Sequence, residues 1–420
     1  MSIDTSWTVR IGTVANPTDF TSRVMGMQID QNVDVNVIGR GVCRITLLNR
    51  DGALTPGGGG TYSSTDWFAQ GVFVSTTITS TSTVTKQVFH GIVTDFDLQD
   101  DGVFSTVTIT ALDGYTIGGR SVPPTVTGFP STDYQTLMLV AFDTTTYSTL
   151  FFPRLGETAV SASPTRFGDA NPEAISDTAS LTYTSFADLW QTSVIPTANT
   201  VLWATTIIRS APFCVYNGRY LPQTNTFGTS DRHDYEFDPP GSLSGSKLPF
   251  ENDTFQQEFN NDTLITQVQI RGNYTGATTN TTNSGTQNTY GSRTSSFTNT
   301  FIRNATDVQT MATRLTNRYG TSRFTPTELR LSATLVKRLA ASAAHSKWAS
   351  LLSIEEGIWQ RAKITWTGSG AASQTAYCVI KGRRISVTPA DTVVTLSLGN
   401  WADNHAFILD TDQLNVDRLG

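Results

Sequence analysis

Cysteine, histidine and charge are all scarce in this 420-residue chain. Its three cysteines, Cys43, Cys214 and Cys378, stand far apart with no close pair. That spacing supports neither a disulfide framework nor a zinc knuckle, so the thiols are expected as small buried hydrophobes. The four histidines, His90, His233, His345 and His405, never approach the His-Glu-x-x-His spacing of a zinc hydrolase and are expected to be structural. Charged residues make up 15% of the chain, with a net charge of −6. No run of Lys and Arg gathers anywhere, which removes the electrostatic footprint of a surface that grips nucleic acid. No stretch reaches the roughly 18 apolar residues needed to span a bilayer. Met1-Ser2-Ile3-Asp4 has no basic patch leading into an apolar run, so the expected site of synthesis and assembly is a cytoplasm.

What the chain does have is 38% hydrophobic residues set among abundant Thr, Ser, Asn and Gly. That balance favours strands and turns over charged helical surfaces and predicts a mainly β protein with a few short helices. The length calls for two or three domains of about 100–200 residues each.

Residues 1–115 read as a first β-rich domain. Cys43, Ile45 and Leu47 alternate with Arg44, Thr46 and Leu48, the period-2 pattern of a strand with one buried face. Asn49-Arg50-Asp51-Gly52 then turns the chain, with Gly52 free to take positive φ. Strands are also predicted around Val72 to Ile78, Phe89 to Phe96 and Val103 to Ile109. Residues 116–260 change character to an irregular α+β middle, with short helices expected after Thr132 and after Thr184 or Ser185, and a strand from Val201 to Ile208. Residues 261–400 read as a second β-rich domain. It opens with Leu264, Thr266, Val268 and Ile270 on one strand face and continues through a long exposed polar loop at 273–300. A helix follows, capped by Thr306 and ending at Tyr319-Gly320. Strands are expected around Arg330 to Leu335, Ala362 to Trp366, Tyr377 to Val387 and Thr392 to Leu398. Residues 401–420 form a C-terminal tail, and no tandem repeat is visible in the sequence.

Catalytic constellations are hard to assemble from these residues. The Gly57 to Gly60 run is not followed by Lys-Ser or Lys-Thr, so it reads as a flexible loop and not a phosphate cradle. Gly241-Ser242-Leu243-Ser244-Gly245 follows Pro239 and Pro240 instead of a strand, unlike a nucleophile elbow. Asp95, Asp97, Asp100 and Asp101 form the one acidic cluster; calcium is a possible guest, but the spacing departs from the calcium-loop pattern and suits a solvated hairpin end. Glu355 and Glu356 are adjacent and diverge on a strand, so they make no acid and base pair. No cofactor and no metal site is expected. Eight tryptophans among polar loops keep a carbohydrate-binding role in view, although several sit within apolar patterns that suit a core.

The segment from Cys43 through Asn49-Arg50-Asp51-Gly52-Ala53-Leu54-Thr55-Pro56 resembles the strand, turn and proline loop near the start of siphophage minor tail proteins. In the same order, Phe89-His90-Gly91-Ile92-Val93-Thr94-Asp95, Val107 to Asp113, Asn304 to the Tyr319-Gly320 helix end, and Trp401 to Gly420 are similar to further segments of that family. The resemblance marks Asn49, Arg50, Asp51, Gly52, Pro56, Gly91, Tyr319 and Gly320 as structural or interface residues. It implies a tail-tip or baseplate hub resembling that of contractile tails, with two tube-like β-barrel domains per subunit. Three copies then imitate the sixfold tail tube. Implied partners are a homotrimer's own copies, the distal tail protein and tail tube, the tape measure protein, and tail fibres or receptor-binding proteins. DNA passes through without specific binding, and the location is the virion tail tip. The family's occasional iron–sulfur cluster needs four cysteines and is not carried over. The alternatives are a receptor- or carbohydrate-binding tail protein and a tail-associated glycosidase or peptidase.

Overall fold

The computed structural model describes residues 3–113 except 14–15, 35–36 and 101–103, and five isolated strands between 126 and 220. It further describes 234–300 except 242, 252–253, 260–263, 273–278 and 284–286, six helical residues of 305–316, Gly320, and 324–400 except 355, 359 and 368–372. The protein is mostly β, as its composition predicts, with few and short helices.

The first strands are β1 (Asp4–Gly12), β2 (Pro17–Asp19), β3 (Val24–Asp34), β4 (Val37–Leu48), β5 (Gly71–Thr79), β6 (Thr83–Asp100) and β7 (Ser105–Leu112). The alternation read from the sequence decides their faces. Cys43, Ile45 and Leu47 of β4 are fully buried beside Val107, Ile109 and Ala111 of β7, while Arg44 is exposed. In the middle of the chain, β8 (Val126–Thr127) pairs with β10 (Ser180–Leu181), and β12 (Cys214–Tyr220) lies between β9 (Phe151–Leu155) and β11 (Thr200–Thr205). β11 reaches β4 through a parallel bridge from Trp203 to Gly39. The helices expected after Thr132 and Thr184 lie outside the described residues.

Next come β13 (Tyr235–Asp238), β14 (Leu248–Pro249), β15 (Gln256–Phe259), β16 (Gln267–Gly272), β17 (Thr279–Asn283), β18 (Thr294–Thr300), β19 (Phe324–Ser332), β20 (Arg361–Thr367), β21 (Ser373–Val387) and β22 (Thr392–Asn400). The loop expected over 273–300 is corrected here. β17 and β18 flank β16 as a separate three-stranded sheet with a helical turn, Gln287–Tyr290, between them. Side-chain amides supply what apolar burial does not: Gln267 accepts from Thr294 Oγ1 at 2.6 Å and donates to Asn283 at 3.0 Å, while Val268 and Ile270 point inward. The helix expected from Thr306 is present at Ala305, Val308, Gln309, Ala312, Thr313 and Thr316, with Val308, Ala312 and Thr316 on its buried face. Its Met311, Leu315 and Tyr319 lie outside the described residues.

The strand expected to run to Leu335 stops at Ser332, whose hydroxyl caps α1 (Ala333–Leu339) by accepting from Leu335 N at 3.1 Å. Asp391 reinforces that end by accepting from Thr334 N at 3.0 Å. A second helix, α2 (His345–Leu352), was not foreseen. It buries His345, Trp348, Ala349, Leu351 and Leu352 on one face and packs on β5 and β6.

A repeat emerges that the sequence conceals. Neighbouring strands run β2-β1-β5-β6-β7-β4-β3 in one set and β14-β13-β20-β21-β22-β19-β15 in the other. Each set contains a meander whose long middle strand pairs first with the strand before it and then with the strand after. The registers agree residue for residue across the second hairpin. Ile92 faces Leu112 and Asp100 faces Ser105 in the first set, as Val379 faces Gly399 and Val387 faces Thr392 in the second. A bulge falls at the same place, between Val93 and Asp95 in β6 and between Ile380 and Gly382 in β21. Even the preceding backbone bond recurs, Val93 N to Gln70 O at 3.1 Å and Ile380 N to Gln360 O at 2.9 Å. The sets differ at one edge, where β1–β5 is antiparallel and β13–β20 parallel.

The two sets join where β3, the last strand of the first, pairs with the outer half of β21, the middle strand of the second, from Asn32 opposite Gly382 to Met27 opposite Val387. Among the described residues no ring of strands closes, because β3 pairs with β21 instead of returning to its own set. One connected hydrophobic core runs beneath both, from Ile3 to Leu398.

Candidate functional site

Two places gather the sequence's marked residues and the structure's least ordinary contacts: the loop leaving β4 and the seam between the strand sets. The loop is a folded plug and not a slack connection. Asn49 is buried; its side chain accepts from Leu54 N at 2.8 Å and donates to Thr55 Oγ1 at 3.0 Å and Ser105 Oγ at 3.2 Å. Gly52 takes φ +65°, and its carbonyl accepts from Thr55 N at 3.1 Å. Leu54 is thereby driven fully into the core. Asp51 is held by Arg23 through two bonds of 2.8 and 2.6 Å, which keep its carboxyl well below the usual carboxylate range. The Arg50 guanidinium lies 5.3 Å from the Phe104 ring centre. Pro56 is exposed at the outer turn. The glycine run from Gly57 to Gly60, expected to be flexible, is tied in by Gly57 N to Ser63 O at 3.1 Å and Gly58 N to Thr55 O at 3.1 Å. Beneath it Phe20, Tyr62, Trp67 and Phe96 pack as one aromatic group, with Trp67 stacked on Phe96 at 5.0 Å.

Gly91 sits where β6 bends from β5 toward β7. A methyl group there meets Leu112 O at 2.5 Å and the Phe89 ring at 2.7 Å, so only hydrogen fits. Gly320 is a buried bend, and Tyr319 lies outside the described residues.

At the seam, Arg383 of β21 is fully buried. Its Nε and Nη2 donate to Gln31 Oε1 of β3 at 2.9 and 2.7 Å, and Nη1 donates to Leu351 O in the last turn of α2 at 2.5 Å. That carbonyl belongs to the negative end of the helix, a natural seat for a cation. Burial pushes the guanidinium down to about 9. Gly357 makes room for it, since a methyl group there lands on Nη1 itself. Outside the seam, Arg384 pairs with Asp30. Sequence reasoning missed this site; an arginine in phase with Ile385 and Val387, on the inward register of the strand, is the signal it had to offer.

The other chemistry-bearing residues do not converge. His345 contacts Ile78 O at 3.0 Å, and His90 is stacked on Phe73 at 4.4 Å, its Nε2 buried without a hydrogen-bond partner. Asp95 and Asp97 are exposed on β6, where Asp95 accepts from Phe96 N. Glu356 accepts from Lys86 at 3.0 Å, bracing the turn after α2 against β6. Cys43 and Cys378 are buried free thiols, pushed up by burial. Among the described residues no three His, Cys, Asp or Glu side chains gather as a metal site, and no helix is long and apolar enough to cross a membrane. Trp67, Trp348 and Trp366 are buried in the core.

No family model matches the sequence, and no curated protein matches it. Solved structures do. A tail protein from Neisseria meningitidis MC58 superposes with a TM-score of 0.55 at 11% identity, covering 95% of this chain and 99% of that one. The 43 kDa tail protein of prophage MuSo2 from Shewanella oneidensis superposes with a TM-score of 0.53 at 8% identity, covering 94% and 99%. The chain has the fold of phage tail proteins. The superpositions extend over nearly the whole of both partners, while the identity is too low to transfer any single residue's role.

Proposed function

We propose that the chain is a non-enzymatic structural subunit of a bacteriophage tail tip, a baseplate hub that ends the tail tube. The observation that carries this reading is the doubled seven-strand set within a chain of tail-protein fold. A trimer docks on a sixfold tube only if every subunit offers two similar surfaces, and a shared strand order with a shared bulge supplies such a pair. The two sets form the wall around the path of the DNA. Residues of the middle region face outward toward tail fibres or receptor-binding proteins, the tape measure protein meets the lumen, and the distal tail protein and tube meet the upper rim. Asn49, Arg50, Asp51, Gly52, Pro56 and Gly91 shape the rim of the first set, and Tyr319 and Gly320 remain interface candidates. The core placement of Trp67, Trp348 and Trp366 weighs against a sugar-binding platform built from them.

Cryo-electron microscopy of tails carrying this subunit tests the proposal. Three copies at the tip, with six strand sets around the axis, is the expected result. A location along the tail shaft, or a single copy, overturns it.

A further inference from the structure

The seam within one chain predicts the seam between chains. β3 and β15 hold the same place in their two sets, as do β21 and β6. Within the chain, the outer half of β21 carries β22 on one edge and β3 on the other. The matching half of β6, from Asp95 to Asp100, carries β7 on one edge, and no described strand lies on the other. Among the described residues β15 likewise pairs with β19 alone, and no described strand lies on its far edge.

We infer that β15 of one copy pairs antiparallel with the Asp95–Asp100 half of β6 in a second copy, reproducing between chains the β3–β21 junction found within each. Burial on the two middle strands supports this independently. Arg383, Ile385 and Val387, which the seam covers, are buried, while their counterparts Phe96, Leu98 and Asp100 are half-exposed, half-exposed and exposed. Phe96 and Leu98 belong to the margin of the core and lack the strand that closes over Ile385. Asp95, Asp97 and Asp100 line this bare edge with carboxylates, which discourages arbitrary strands from adding to it. Transferring the β3–β21 register through the shared neighbours places Gln257 opposite Asp97 and Gln256 opposite Gln99. The contact is head to tail, so it propagates in one rotational sense and can close as a ring. This joint rests on the hub reading above, which sets the ring at three copies.

Paired cysteines read the joint directly. The variant D97C/Q257C, in assembled tails and as purified full-length chain, is expected to give dimer and trimer bands on a non-reducing gel. Neither single variant gives them, and far-UV circular dichroism matches the parent. The variant D30C/R384C, at the corresponding pair inside the chain, gives an intrachain bond and no ladder. Multiple copies per tail without a D97C/Q257C ladder overturn this joint and leave the hub reading standing. One copy per tail, and a monomer in solution, overturn both.

Discussion

Replacing Gln31 with leucine strands the Arg383 guanidinium beneath the seam. Leucine fills nearly the same space but removes the oxygen that accepts from Nε and Nη2 at 2.9 and 2.7 Å. The arginine is buried and cannot reach water, so Nε is left unpaired and Nη2 keeps only a long 3.4 Å bond to Val88 O while the charge stays in place. Hydrogen bonds to a charged group are worth about 1.5–3 kcal/mol each, and one of the two is lost outright while the other is partly replaced, which puts the loss for Gln31→Leu at about 2–5 kcal/mol. Adding Arg383→Met removes the cation as well, leaving Leu351 O as the main unpaired acceptor at about 1–3 kcal/mol. The double variant is therefore expected to be more stable than Q31L alone. Chemical denaturation followed by tryptophan fluorescence measures this, because Trp348 of α2 is buried in the shared core. A double variant whose loss equals the sum of the two single losses, within about 0.5 kcal/mol, refutes the claim that the two residues act as a unit.

Gly91→Ala is expected to cost about 1–3 kcal/mol through its collision with Leu112 O, whereas Gly57→Ala, at φ +69° with open space around it, costs about 1 kcal/mol; denaturation midpoints rank the two. His90 gives an acid signature, because burial pushes its imidazole down to about 4 from an ordinary value of about 6.5. As pH falls through that window the unfolded chain gains a proton that the folded chain refuses. The parent therefore loses about 3 kcal/mol that His90→Phe retains, and parallel pH profiles for the two contradict the assignment. Asp51→Asn is expected to cost at most about 1 kcal/mol at neutral pH, since the Arg23–Asp51 pair is partly exposed. The depressed carboxyl makes that contribution present above the ordinary Asp value and lost as pH falls below it, so the gap between parent and variant closes in acid.

Strands with one wet face were legible in the sequence because alternation survives there: Cys43, Ile45 and Leu47 inside, Arg44 outside. The same logic located β20, β21 and β22. It failed where polar side chains hold the structure, as at Gln267, Thr294 and Asn283, since hydrogen-bonded sheets carry no hydrophobic period. It also failed at Ser332, where one hydroxyl ends a strand and starts a helix. Asn49 and Gly52 read correctly as a turn, yet the plug they build depends on Thr55, Ser105 and Tyr62, which only the fold brings near. The doubled set stayed hidden because equivalent positions carry unlike residues, Phe96 and Asp97 against Arg383 and Arg384. Register, and not side-chain identity, is what the two sets share.

Joining two equivalent sets on one polypeptide has a kinetic side. Because β3 and β21 lie on one polypeptide, their meeting is intramolecular and does not depend on how few chains a cell contains. The junction between the sets therefore forms in the folding of each chain and waits on no second molecule. It also frees the sets to diverge: the seam has become a weld around buried Arg383, while the equivalent stretch of β6, with Phe96, Leu98 and Asp100, keeps its contact with water.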